Sequence, residues 1–192
     1  MPPTAHPLAV FASVSRLHIV AIAALGTFTF GWLFTGHYPW LLAAICALDW
    51  FLVNLLNRVV DIEEDTANAI TGTDFVVRHR KAIVVVGFAL LFASLAVVHF
   101  IVPQITLLRC GYHTLGFAYN WPIIPGGRRI KQLYFFKNFA SAMGFVLTVF
   151  LYPLAAADWG RQTLAPGITL ATIGYTAGFF VLFELSYEVI YD

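Results

Sequence analysis

The chain has 192 residues, of which 60% are hydrophobic and only 11% charged, with a mean hydropathy of +0.80. An ordinary soluble domain carries roughly 25% charged residues, so the composition excludes one and places the chain in a membrane. The net charge of +1 says little by itself, and nucleic acid is not expected among the partners.

Apolar runs fall at residues 17–35, 38–57, 82–102, 103–119, 139–157 and 164–183. Each is near the ~20 residues that a helix needs to cross the hydrocarbon core. Four carry no charged side chain, while 38–57 holds Asp49 and 103–119 holds Arg109. The expected fold is all-α, a polytopic transmembrane helical bundle of six spans forming a single membrane domain over residues 1–192. The first run is too long and too late to be the core of a cleaved signal peptide. Gly36, Pro39, Pro103 and Pro153 punctuate helix ends on one side of the membrane.

With six spans, nine of the eleven Lys and Arg fall on one side: Arg16, Arg58, Arg78, Arg80, Lys81, Arg128, Arg129, Lys131 and Lys137. Arg161 falls on the other, and Arg109 lies within a run. The positive-inside rule makes the basic side cytoplasmic, with both termini and the functional face on it. Cys46 and Cys110 both lie in spans and are expected to be reduced packing residues. Trp32, Trp40 and Trp50 read as interface anchors or packing.

Near residue 60 an apolar run meets carboxylates, with Asn57, Asp61 and Asp65 four residues apart. On a continuous helix each such step rises about 6 Å and drifts about 40°, so the three side chains share a face. The same polar face continues inward through Asn54 and Asp49. Hard oxygen donors at this spacing suit Mg²⁺ together with phosphate oxygens. The simpler reading is a helix end emerging into water. Arg109 reads as an ion-pair partner, with Asp49 a candidate to pair it.

Two basic clusters follow, Arg78-His79-Arg80-Lys81 and the 126–138 segment. Arg128 and Arg129 read as topology signals that contact membrane lipid. Tyr134, Lys137 and Asn138 form a donor cluster suited to a diphosphate. At the end of the chain, Glu184, Glu188 and Asp192 repeat the pattern of a helix running into carboxylates. His18, His37, His79, His99 and His113 show no metal spacing and read as packing or interface residues.

These motifs carry a resemblance. The stretch Asn57-Arg58-Val59-Val60-Asp61-Ile62-Glu63-Glu64-Asp65 is similar to NDxxDxxxD, the first aspartate-rich motif of the UbiA superfamily of intramembrane prenyltransferases. Leu115-Gly116 through Tyr119-Asn120 and Pro122, followed by Lys131 and Lys137-Asn138, looks like that family's central segment. Tyr187-Glu188 through Tyr191-Asp192 looks like the lead-in to the second motif, DxxDxxxD. The resemblance implies transfer of a polyprenyl group from its diphosphate to an aromatic or other lipophilic acceptor. It implies Mg²⁺ held by Asn57, Asp61, Asp65 and Asp192, with Asp61 and Asp65 catalytic. It implies diphosphate contacts from Arg78, Lys131, Tyr134 and Lys137.

Two departures stand out. Arg58 occupies a position where the family usually has Asp. The family usually has nine helices, so this chain reads as the N-terminal two-thirds of such an enzyme, stopping at the start of the second motif. By itself it is then expected to lack turnover. A transporter using Asp49 and Arg109 at membrane depth, and a catalytically silent membrane scaffold, are the alternatives.

Overall fold

The computed structural model describes residues 6–157 and 164–191, without the side chains of 134, 135 and 187–191. Among the described residues the chain is helical and contains no strand. A short helix α1 (Pro7–Val14) precedes α2 (Leu17–Thr35), α3 (Trp40–Arg58), α4 (Ile62–Ala67) and α5 (Thr73–Ile101). Then come α6 (Thr106–Asn120), α7 (Tyr134–Phe145), α8 (Tyr152–Ala156) and α9 (Leu170–Tyr191). A π-helical stretch, Val146–Leu151, joins α7 to α8 without a break.

Among the described residues, four helices are long and apolar enough to cross a membrane: Leu17–Thr35, Trp40–Arg58, Thr73–Ile101 and Phe136–Ala156. The two other apolar runs are also helical, but α6 has only 15 residues and the described apolar part of α9 is Leu170–Ser186. Helix α6 is held short by its flanks. Pro103 lies in the 3₁₀ turn before it, and Trp121, extended ahead of Pro122, ends it. Helix α5 begins nine residues before the expected run and has 29 residues. At 1.5 Å per residue it is about 43 Å long, longer than a ~30 Å hydrocarbon core is thick, and it carries the Arg78–Lys81 cluster near its N-terminal end.

Helix α3 is the centre of the bundle. Of its apolar window 61% is buried, against 22% for α5, which therefore turns most of its surface outward. Helices α2 and α3 form a tight antiparallel hairpin. Gly36 closes α2 in the left-handed conformation (φ 74°), and its N–H donates to Trp32 O at 2.8 Å. Trp32, Tyr38 and Trp40 cluster at this turn and are exposed, as expected of interface anchors. Of the cysteines, both free, Cys46 is buried and Cys110 exposed.

The carboxylate row is not one continuous helix. Helix α3 ends at Arg58, and a turn through Val59 and Val60 leads to Asp61, which precedes the first residue of α4. Val59 is buried in a cluster with Val14, Val76 and Ile83, which draws the chain toward α1 and α5. Burial of a large aliphatic side chain is worth about 1.5–3 kcal/mol, more than one helical residue of continuity. Asn57 therefore belongs to one helix, and Asp61 and Asp65 to the next.

Helices α3 and α6 approach closely at Gly116. A Cβ there would lie 2.7 Å from Val53 Cγ1 and 3.2 Å from Cγ2, and a β-branched side chain in a helix has little rotameric freedom to retreat. Gly116→Ala should lower stability by about 1–3 kcal/mol, read as a lower melting temperature in detergent. Val53→Ala in the same chain should restore part of it. A parental melt for Gly116→Ala alone would show that the contact is not tight.

Candidate functional site

The end of α3 that carries Asn57 borders a cavity of ≈ 380 Å³ bounded by α2, α3, α6, α7 and α9. The wall is apolar and aromatic, including Ile19 and Ile22 of α2, Trp50 of α3 and Phe145 of α7. The Trp50 and Phe145 ring centroids are 4.4 Å apart, and those of Trp50 and Tyr112 5.4 Å. The Trp50 indole donates to Thr148 Oγ of the π-helical stretch at 3.0 Å, which fixes the wall. Pockets of this size and lining suit a small or amphiphilic ligand.

Polar groups converge on the same space. Asn54 and Asn57 lie on α3, Tyr112 and Asn120 on α6, and Arg16 just before α2. Asn57 Nδ2 donates to Gly116 O at 3.3 Å, but its Oδ1 meets no protein donor. Asn54 Nδ2 and Tyr112 OH are likewise buried with no protein partner. A buried polar atom left unpaired costs about 1–3 kcal/mol. Three of them belong to residues that line one cavity, so a polar ligand placed there would supply their missing partners. Sequence reading had Asn54 and Asn57, whereas Tyr112, Asn120 and Arg16 become visible as neighbours only through the packing of α2 and α6 on α3.

A charged rim adjoins the cavity. Lys131 Nζ donates to Asp61 at 2.7 Å and also pairs with Glu64, and Arg129 reaches Asp61 at 3.3 Å. Arg58, where the resemblance expects an acid, pairs with Asp65 at 2.7 Å and donates to Ser13 O at 2.9 Å, tying α4 and α1 to the end of α3. Asp61 and Asp65 are buried, at 3% and 8% exposure. Arg16 feels both carboxylates as well as Arg58. Burial, then the like charge of Arg58, pull its pKa below the ordinary guanidinium value, while Asp61 and Asp65 push it back up. A cation desolvated in this way gains from an incoming anion.

The expected site residues thus divide. Asn57 lines the cavity, and Asp61, Asp65 and Lys131 form the rim. Arg129, read from sequence as a topology signal, joins the rim. Lys137 sits in the first turn of α7, its N–H bonded to Leu133 O at 2.8 Å. Tyr134 begins α7, its side chain outside the described residues, and Asp192 also lies outside them. Arg78 lines a different groove, between α1, α3 and α5. Among the described residues no three His, Cys, Asp or Glu side chains cluster at metal-binding distance.

A second polar constellation lies deep in the bundle. Asp49 accepts from both Nε (2.9 Å) and Nη2 of Arg109 and from Tyr152 OH at 2.9 Å, and His113 Nε2 lies 3.1 Å from it. Arg109 also donates to Ser94 O and Oγ at 2.9 and 3.1 Å. Asp49 and Arg109 have no solvent exposure. The expected pairing of Arg109 with Asp49 is present. Ser94 and Tyr152 were not foreseen, and His113 is a partner rather than simple packing. The four-residue step from Arg109 to His113 was the available signal.

No family model matches the chain, and no curated protein or solved structure matches it.

Proposed function

We propose that the chain is a membrane protein of UbiA-like character that binds a polyprenyl diphosphate and presents it for transfer to a lipophilic or aromatic acceptor. In this reading α6 and α9 complete six spans, and the charged rim and both termini face the cytoplasm. The observation that carries the proposal is the cavity, with an aromatic and aliphatic wall, unpaired Asn and Tyr groups, and a charged rim. An amphiphile with an anionic head matches that division: its tail lies along Trp50 and Phe145, and its head meets Arg16 and the rim.

The chemistry follows from the charges. Ionising an allylic carbon–oxygen bond leaves a multiply charged diphosphate, which cations must neutralise. Lys131 and Arg129 exchange a carboxylate for diphosphate oxygens, and Arg16, which lines the cavity, adds a third cation. The aromatic wall keeps water from the cationic fragment and stabilises it through its π faces. Asn57 Oδ1 is an unpaired hard oxygen beside the Asp61 rim, a donor set that fits Mg²⁺. Bound there by Asn57 and Asp61, and by Asp65 once released from Arg58, Mg²⁺ would supply further charge neutralisation. Asp192, Tyr134 and Lys137 remain proposed contributors from sequence. Transport through Asp49 and Arg109 is less favoured, since neither residue, nor His113 or Tyr152, lines the cavity.

The deciding measurement is binding. Purified protein in detergent with Mg²⁺ should bind a non-hydrolysable prenyl thiodiphosphate, seen as a raised melting temperature and a saturable isotherm. Diphosphate release from membranes supplied with prenyl diphosphates and aromatic acceptors reports turnover separately. No saturable binding across a series of chain lengths would overturn the proposal.

A further inference from the structure

A second concavity lies on the other side of α3. It runs between α1, α3 and α5, has a volume of ≈ 870 Å³ and does not share a lining residue with the cavity above. Its lining is almost wholly apolar, with Phe11 from α1, Phe51 and Leu55 from α3, and Phe75, Val86 and Leu90 from α5. Several of these are openly exposed, including Phe11 at 53% and Val86 at 55%. In a helix that crosses a membrane such a surface faces acyl chains rather than water.

Charge is confined to one end. Arg78 and His79 line the groove beside Asp74, and Arg80 and Lys81 follow outside it. His79 is held by its neighbour Phe75, with Nδ1 2.9 Å from Phe75 O and the rings 4.3 Å apart. Among the described residues no carboxylate pairs with Arg78, Arg80 or Lys81. The guanidinium of Arg78 is therefore an open donor at the mouth of an apolar channel.

The length also has meaning. From Arg78 to Leu90 helix α5 rises about 18 Å, close to half of a ~30 Å hydrocarbon core. The part of the groove inward of Arg78 is about as deep as one leaflet, and Arg78 and His79 stand at its outer end, with Asp74 one turn further out. We infer that it holds one anionic phospholipid of the leaflet on the basic side, with its phosphate on Arg78 and its acyl chain along Phe51, Val86 and Leu90. This is a site separate from the prenyl cavity and does not depend on the proposed activity. A prenyl diphosphate, a second copy of the chain and an undifferentiated lipid belt are the competing occupants.

The probe is phosphatidylglycerol titrated into delipidated protein in detergent, against phosphatidylcholine with the same acyl chains. Retained lipid is counted by native mass spectrometry and stability is read by melting. Phosphatidylglycerol should be retained at one equivalent and raise the melting temperature, with phosphatidylcholine much weaker. Arg78→Ala should weaken this binding roughly five- to tenfold, the worth of one cation at a lipid surface. Val86→Trp, on an exposed position, should fill the groove and weaken it similarly. Arg80→Ala removes an equal charge outside the groove and should leave retention unchanged. Equal retention of both lipids, or equal loss with Arg80→Ala and Arg78→Ala, would reduce the site to a general basic belt and overturn the inference. So would displacement of the lipid by prenyl thiodiphosphate, or a dimer that forms as lipid is removed and buries the groove.

Discussion

Asp49→Ala should be the most destabilising single substitution in the chain, with a loss of about 3–5 kcal/mol. Asp49 on α3 is the acceptor on which Arg109 and His113 of α6 and Tyr152 of α8 converge, and Arg109 reaches on to Ser94 of α5. Removing it leaves a guanidinium with no solvent exposure and no counter-charge. The alternative, moving Arg109 to water, would pull α6 out of the bundle. For a chain of this size that loss corresponds to a melting temperature lower by roughly 10 °C. Arg109→Met added to Asp49→Ala should recover most of it, because an apolar pair of similar volume needs no ion partner. A melt within about 2 °C of the parent for Asp49→Ala would show that the network carries little stability.

Asp61→Ala should weaken binding of the prenyl thiodiphosphate in Mg²⁺ by more than about tenfold, some 1.4 kcal/mol. The loss has two sources under the proposed reading. Asp61 is a donor to the metal, and it positions Lys131 and Arg129, which lie 2.7 and 3.3 Å from it. Asn57→Leu should show a comparable loss through its unpaired Oδ1. Asp65→Ala should affect binding less, since its carboxylate is engaged by Arg58, and should show chiefly in the melt. Loss below tenfold for Asp61→Ala, in protein that melts normally, would remove Asp61 from the site.

How much of this could be read from sequence depends on how local the signal is. Hydrophobic runs are local, and they located four helices of spanning length. They could not say that α5 extends nine residues further out, because its first turns are polar and their helicity depends on contacts with α1 and α4. The four-residue spacing of Asn57, Asp61 and Asp65 suggested one helical face, but Val59 found a better place in the α1–α5 cluster and broke the helix. The Asp49–Arg109 pair was legible because two lone charges in apolar runs need each other. Tyr152 was not, since nothing local distinguishes a hydroxyl that reaches a carboxylate 103 residues away from any interface tyrosine. The partners of Asp61 come from a loop 68 and 70 positions on; spacing and charge placement make Arg129 a topology signal and the resemblance makes Lys131 a diphosphate contact, and neither reading contains the pairing with Asp61.

Asp49 and Trp50 are adjacent on α3, and a helix turns about 100° per residue. One flank of this single rod is therefore bolted to α6 and α8, while the next flank carries Trp50, Asn54 and Asn57 to the cavity. Rotation or sliding of α3 would have to break the bolt first. The stretch of α3 that carries these amides is consequently held in place before any ligand arrives, and the entropy of ordering that backbone is already spent in folding. A ligand that fits their spacing meets a preorganised surface, so its affinity would reflect contact chemistry with little reorganisation of the host.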